Sequence, residues 1–320
     1  MLGCFEKILL RAWNHLNECF PHCIHNIGLY VATTTTTSLQ VYFDNMNITE
    51  NNRFVSRQGS LITRFLKFCF MPAFFLLFTF SSTHAKAFEF SDWDILLKKH
   101  VKPGLVDGIS LNTVVYGKLR LDPVSHRLEN NLKSFPLSKL KTNQEKLAFW
   151  INVYNIFAVK IVRDNYPLKS IKDVGGLFKS VWKLKVGAVD NRKYSLDEIE
   201  HGILRKMGDP RIHTAIVCAS ISCPDLSIEA YKPEKLDHQL DRQMRRFLAN
   251  PNKGMRINAN RKPPRIFLSP IFDWFADDFK SSGGVLKFIK PYVSPKYRHA
   301  LENPQYPVSY MDYNWSINGS

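Results

Sequence analysis

Six side chains in this 320-residue chain have the types and spacings from which a thiol active site is built. Cys218 and Cys223 bracket the stretch Cys218-Ala219-Ser220-Ile221-Ser222-Cys223, and Glu198 and His201 stand upstream, His201 lying 17 residues before the first cysteine. A carboxylate beside an imidazole, near a cysteine, gives a thiolate nucleophile with an oriented base. The serine-rich loop after Cys218 offers backbone N–H groups for a developing oxyanion. Asn152 and Asn155 complete the set. Three apart on an otherwise apolar helix, they share a face, and either line the same cavity or pin a neighbouring loop, because a buried amide needs partners. The expected catalytic residues are therefore Cys218, His201, Glu198, Asn152 and Asn155, with Cys223 as a resolving or disulfide thiol.

Two other readings of the cysteine pair stay open: a structural disulfide or inert buried thiols, and a metal site. No second closely spaced Cys/His pair follows, and the early cluster Cys19, His22, Cys23 and His25 fits no zinc spacing. Neither a metal nor a cofactor is expected.

The elements that must position these residues are marked by caps and periodicity. Thr142-x-x-Glu145 is a capping box, predicting a helix that runs to about Tyr166 before Pro167 stops it. Its apolar positions lie nearly all round, so it should be central and buried. Ser195-x-x-Glu198 caps a second helix with Leu196, Ile199, Ile203 and Met207 as its core stripe, ending at Gly208. There His201 lies on the side of Asp197 and Glu198. A third helix follows Pro233 and ends at Asn250-Pro251. Residues 211–218 are rich in β-branched types and read as a strand, which would put His213 on the face opposite Cys218 and make it a poor base. Residues 254–258 and 265–268 read as a hairpin, Ser269-Pro270 opens a short helix, and 306–315 is extended. Trp150 and Trp274 are expected core anchors. The fold class is α+β: a single domain over 88–320 with a central buried helix and a small, mostly antiparallel sheet.

Hydrophobic residues make up 45% of the chain and charged residues 22%, which excludes a disordered or collagen-like body. Arg57, Arg64 and Lys67 precede a 13-residue apolar run over 68–80, followed by Ala85-Lys86-Ala87. That order describes a secretory signal peptide over 61–87, too short for a permanent span. Residues 1–60, with five consecutive threonines from Thr33, read as a mis-assigned or disordered extension. Export to the periplasm or exterior makes nucleic acid an unlikely partner. The net charge of +16 suits an anionic envelope component, or simply a well-solvated surface.

Several rare-residue motifs occur together. They are Phe149-Trp150-Ile151-Asn152-Val153-Tyr154-Asn155, Tyr166-Pro167-x-x-Ser170-Ile171, Ser195-Leu196-Asp197-Glu198-Ile199-Glu200-His201, the 209–224 segment, Ile271-Phe272-Asp273-Trp274-Phe275, Gly283-Gly284-Val285, and Tyr313-Asn314-Trp315-Ser316-Ile317-Asn318. In this order, over about 110–318, they resemble the family called domain of unknown function 547. The resemblance implies bacterial exported relatives and plant relatives with a preceding coiled coil, and it brings no established activity. It also implies that the second cysteine position is commonly serine in plant relatives. A disulfide is then no family-wide reason for Cys218, and Cys223 becomes a local addition or resolving thiol.

The expected function is a thiol-dependent hydrolase or acyl transferase of the cell envelope. The alternative is a non-catalytic envelope binding or scaffold domain in which the same residues only hold the core. Export makes one direct prediction: the mature chain begins at Phe88, so N-terminal sequencing of secreted protein reads Phe-Glu-Phe-Ser. An intact residue 1 on soluble cytoplasmic protein would refute it.

Overall fold

Residue Thr142 starts the helix around which the described chain is packed. Its hydroxyl accepts from the Glu145 N–H at 3.1 Å, while Glu145 Oε2 accepts from the N–H groups of Thr142 and Lys141. This computed structural model describes residues 87–176 and 180–320. The expected extension over 1–60 and the expected signal peptide over 61–87 lie outside the described residues, apart from Ala87.

In chain order the elements that matter for the site are α1 (Ser91–His100), the hairpin β1 (Val101–Val106) and β2 (Ile109–Val114), α2 (Pro123–Ser134) and α3 (Asn143–Asn165). There follow the hairpin β3 (Gly187–Val189) and β4 (Arg192–Tyr194), α4 (Leu196–Ile199), α5 (Ile212–Ala215), α6 (Leu236–Ala249), β5 (Met255–Asn258), β6 (Arg265–Leu268), α7 (Ile271–Trp274) and β7 (Val308–Tyr310). The fold is α+β. Instead of one sheet there are three small ones, antiparallel except that β7 joins β6 in parallel.

Helix α3 is buried along almost its whole length, from Leu147 to Arg163. It forms the middle of the larger apolar cluster, with α1, α2, β4 and α4 around it. A smaller cluster gathers the end of α6, β5, β6, α7 and Phe279. Asn152 is fully buried and holds the backbone of Tyr231 at both groups: Nδ2 donates to its carbonyl at 2.8 Å, and Oδ1 accepts from its N–H at 2.9 Å. Asn155 does the same to the segment before Cys218, donating to Ala215 O and accepting from Val217 N–H, both at 2.9 Å. Both amides therefore pin loops.

Three local expectations change. Residues 211–218 are not a strand. Asp209 accepts from the Arg211 N–H at 3.0 Å and opens a helical turn, α5, and Asn155 then holds 215–217 extended. Local capping overrides the β-branched preference here. The helix after Ser195 keeps its capping box but passes into a five-residue π-helix, Glu200–Leu204, and a 3₁₀ turn, Arg205–Met207. The i→i+5 register buries Leu204 in place of Ile203, and Gly208 ends the run in the left-handed region with φ 78°. Trp274 is 49% exposed and is no core anchor, since α7 turns its far end to the surface, whereas Trp150 is 5% exposed inside the main cluster.

The two tryptophans should therefore part company. Trp150→Ala is expected to cost about 3–5 kcal/mol, and Trp274→Ala less than about 1.5 kcal/mol. Urea unfolding of both variants checks this; equal losses would put Trp274 back in the core.

Candidate active site

The α5 turn, the Asn155 clamp and a strap of chain near residue 316 together set the loop that carries Cys218. Ala219 sits in the left-handed region with φ 56°, a conformation that a non-glycine residue holds only when its surroundings impose it. The strap imposes it. Asn318 N–H donates to Ala219 O, Ile221 N–H to Ser316 O, Ser222 N–H to Asn314 O, and Asn314 N–H to Ser222 Oγ, at 2.9–3.2 Å. Tyr116, fully buried beside α3, anchors the strap by donating to Asn318 Oδ1 at 2.8 Å.

Three N–H groups of the serine-rich loop are engaged: those of Ile221 and Ser222 bind the strap, and that of Cys223 binds Ser220 O. The Ser220 N–H faces the Cys218 sulfur, and two hydroxyls lie beside it, Ser220 Oγ and Tyr313 Oη, each at 3.2 Å. Cys218 is half-buried and opens onto a cavity of about 200 Å³, whose wall also holds Glu200, His201, His213, Trp274 and Tyr313. Burial disfavours its thiolate. Hydrogen bonds from Cys223, Ser220 and Tyr313 outweigh that and bring the thiol down to about 7. The same tyrosine is pushed up, first by burial and then by the charge of Cys218, so it remains a donor at neutral pH.

Cys218 and Cys223 are both free thiols, so the disulfide is not formed. Cys223 Sγ instead accepts from the Cys218 N–H at 2.8 Å. Burial, followed by its hydrogen bond to Cys218 and the charge there, pushes Cys223 up.

The structure brings His201 to the cavity but leaves it 45% exposed at the side chain, with Nδ1 3.0 Å from Arg205 and Nε2 3.9 Å from Asp197. Glu198 is not brought there. It closes the Ser195 capping box and pairs with Lys185, which holds its carboxyl below the usual range. Asn152 and Asn155 have their amides committed to backbone and reach the cavity only through the loops they hold.

Sequence reasoning set aside His213 and missed its partners. His213 is buried, stacks on Phe275 with centroids 4.0 Å apart, and lies 2.7 Å through Nε2 from Asp278. Arg205 donates to both oxygens of that carboxylate at 2.7 Å, and with His213 it holds Asp278 below the usual carboxylate range. Burial pulls His213 down to about 4 despite this partner, so the ring is neutral at pH 7. Its proton belongs on Nε2, facing Asp278, and Nδ1 carries a lone pair with no hydrogen-bond partner among the described residues. Glu200 was also missed. It accepts from Tyr154 Oη at 3.0 Å, and burial raises its carboxyl. Nothing local points to Asp278 or Tyr313, which lie 65 residues from His213 and 95 from Cys218 respectively.

Residues 137–248 match the family model described as "Protein of unknown function, DUF547". This stretch is similar to the family that the sequence motifs resemble. It spans α3 to α6 and includes Cys218, His213 and Glu200, while Asp278, Tyr313 and the strap lie beyond its matched end. Neither a curated protein nor a solved structure matches the chain. Among the described residues no helix is long and apolar enough to cross a membrane, and no group of three or more His, Cys, Asp or Glu side chains is placed to hold a metal ion.

The hydrogen bonds to its sulfur, from Cys223, Ser220 and Tyr313, set the pH at which Cys218 reacts. Its alkylation by iodoacetamide should be half-maximal near pH 7 rather than near that of an ordinary thiol. Tyr313→Phe removes a donor that favours only the thiolate, so the midpoint must move to higher pH, and further than in His201→Ala. A wild-type midpoint at the ordinary thiol value, or a larger shift in His201→Ala, would contradict this account.

Proposed function

We propose that this protein is a thiol-dependent hydrolase or acyl transferase with Cys218 as its nucleophile, acting on a substrate of the cell envelope after export. The observation that carries the reading is the Cys218 sulfur itself: it opens onto a cavity, and Ser220 and Tyr313 hydroxyls lie at 3.2 Å and favour its ionised form. A thiolate available at neutral pH needs no base to generate it.

A base is needed for the second half of such a reaction. The Cys218 thiolate attacks an acyl carbon, the C–S bond forms, and the bond to the leaving oxygen or nitrogen breaks as that atom takes a proton from water. Water, or an acceptor alcohol or amine, must then lose a proton as it attacks the thioester. His213 lines the cavity, is neutral and is oriented by Asp278, and its enclosed Nδ1 has no hydrogen-bond partner among the described residues; it takes that proton once the bound acyl group brings water to this edge of the ring. As the oxyanion develops, the Ser220 N–H and the Tyr313 and Ser220 hydroxyls supply donors.

A burst assay with p-nitrophenyl butyrate tests both roles. The expected result is one nitrophenolate released rapidly per chain, with a butyryl adduct on Cys218 by mass spectrometry and none in Cys218→Ala. His213→Gln should leave the burst and slow the turnover that follows by about 10²-fold or more. A burst that survives Cys218→Ala would overturn the nucleophile, and turnover unchanged in a folded His213→Gln would remove the base.

A further inference from the structure

The lining of the Cys218 cavity has two parts: the polar groups Glu200, His201 and His213, and three tryptophans, Trp182, Trp274 and Trp315. Trp274 is the one tryptophan among the large apolar side chains exposed in the described residues. A large exposed aromatic lining a cavity is informative where scattered exposed leucines are not.

This aromatic wall is fixed in place. Trp274 stacks on Trp315 with centroids 5.8 Å apart and planes 14° from parallel. Tyr313, which also donates to the Cys218 sulfur, lies 4.5 Å from Trp315 and 4.9 Å from Trp274. Trp182 approaches Trp315 at 6.3 Å, and Lys172 Nζ sits 3.6 Å over the Trp315 ring. The strap thus positions the thiolate's donor and the apolar wall with the same few residues. An acyl group bound to Cys218 would leave the sulfur alongside these rings. A charged tail would lose hydration against their apolar faces, which an apolar tail does not.

We infer that the cavity selects acyl donors whose acyl group is apolar and bulky, a medium-length aliphatic chain or an aryl group, held against the wall of Trp182, Trp274 and Trp315. The inference rests on the thiol reading above and adds its substrate class. Apolar contact remote from the reacting carbon raises acylation efficiency only if the tail is gripped in the transition state. Differences of a few methylenes in such a pocket are worth about tenfold or more.

The experiment measures thioester formation on Cys218 by intact mass, with p-nitrophenyl esters of acetic, octanoic, benzoic and succinic acids. Each rate is divided by that of N-acetylcysteine with the same ester, which removes intrinsic ester reactivity. Octanoyl or benzoyl transfer is expected to exceed acetyl by about tenfold or more, and succinyl to be slowest. Which of the two leads distinguishes an aliphatic from an aryl donor. Trp274→Ala and Trp182→Ala should each shrink the ratio of the preferred donor to acetyl severalfold. If acetyl or succinyl matches the apolar esters while Cys218 still acylates, the substrate class is wrong and the thiol reading stands. If no ester forms a thioester on Cys218 in folded protein, both are overturned.

Discussion

The Asn155 side chain holds the arrangement on which the cavity depends. Its amide is enclosed in the most buried helix of the fold, so it must find a donor and an acceptor inside the protein. It finds them on Ala215 and Val217, the backbone immediately before Cys218. Leaving buried donors or acceptors unpaired costs about 1–3 kcal/mol each. The chain entering the cysteine loop therefore has little freedom to depart from one path. Asn152 repeats the device on Tyr231, and the two amides fasten two separate loops to one helix. A helix placed by hydrophobic burial becomes a ruler for polar groups.

The second constraint comes from the seam between the two apolar clusters. Phe279 belongs to the smaller cluster, and Asp278 beside it reaches across to His213 and Arg205. His213 lies between Ile212 and Ala215, which belong to the larger cluster. A carboxylate that carries one cluster's neighbour onto a ring buried beside the other is preorganised, because neither His213 nor the turn before Phe279 can move without disturbing a packed core.

Much of the scaffold was legible in the sequence, since its signals are local. Thr142 with Glu145, Ser195 with Glu198, and the apolar girth of the helix beginning at Asn143 need only neighbouring residues to be read. The hairpin of β5 and β6 follows from composition in the same way. The site was only half legible. Cys218 and His201 were found by type, but helix spacing alone could not show that Glu198 was already taken by Lys185 and its own cap. His213 was set aside because β-branched neighbours suggested alternation, and alternation fails once Asp209 starts a helical turn. The π register at Glu200 carries no sequence signature of its own. Partners such as Asp278 and Tyr313 are fixed by tertiary packing across tens of residues, where periodicity has nothing to say.

The strap also orders events in time. Tyr313 follows Cys218 by 95 residues, so at a synthesis rate of about 5–20 residues per second the loop emerges roughly 5–20 s before its partners. During that interval α3 and the Asn155 clamp can form, but Ala219 lacks the strap that holds it left-handed, and the cysteine lacks Tyr313 and has only its local partners Ser220 and Cys223. The sulfur gains its full set of donors only when the strap seats, so the last stretch of chain to be made is the one that completes the site.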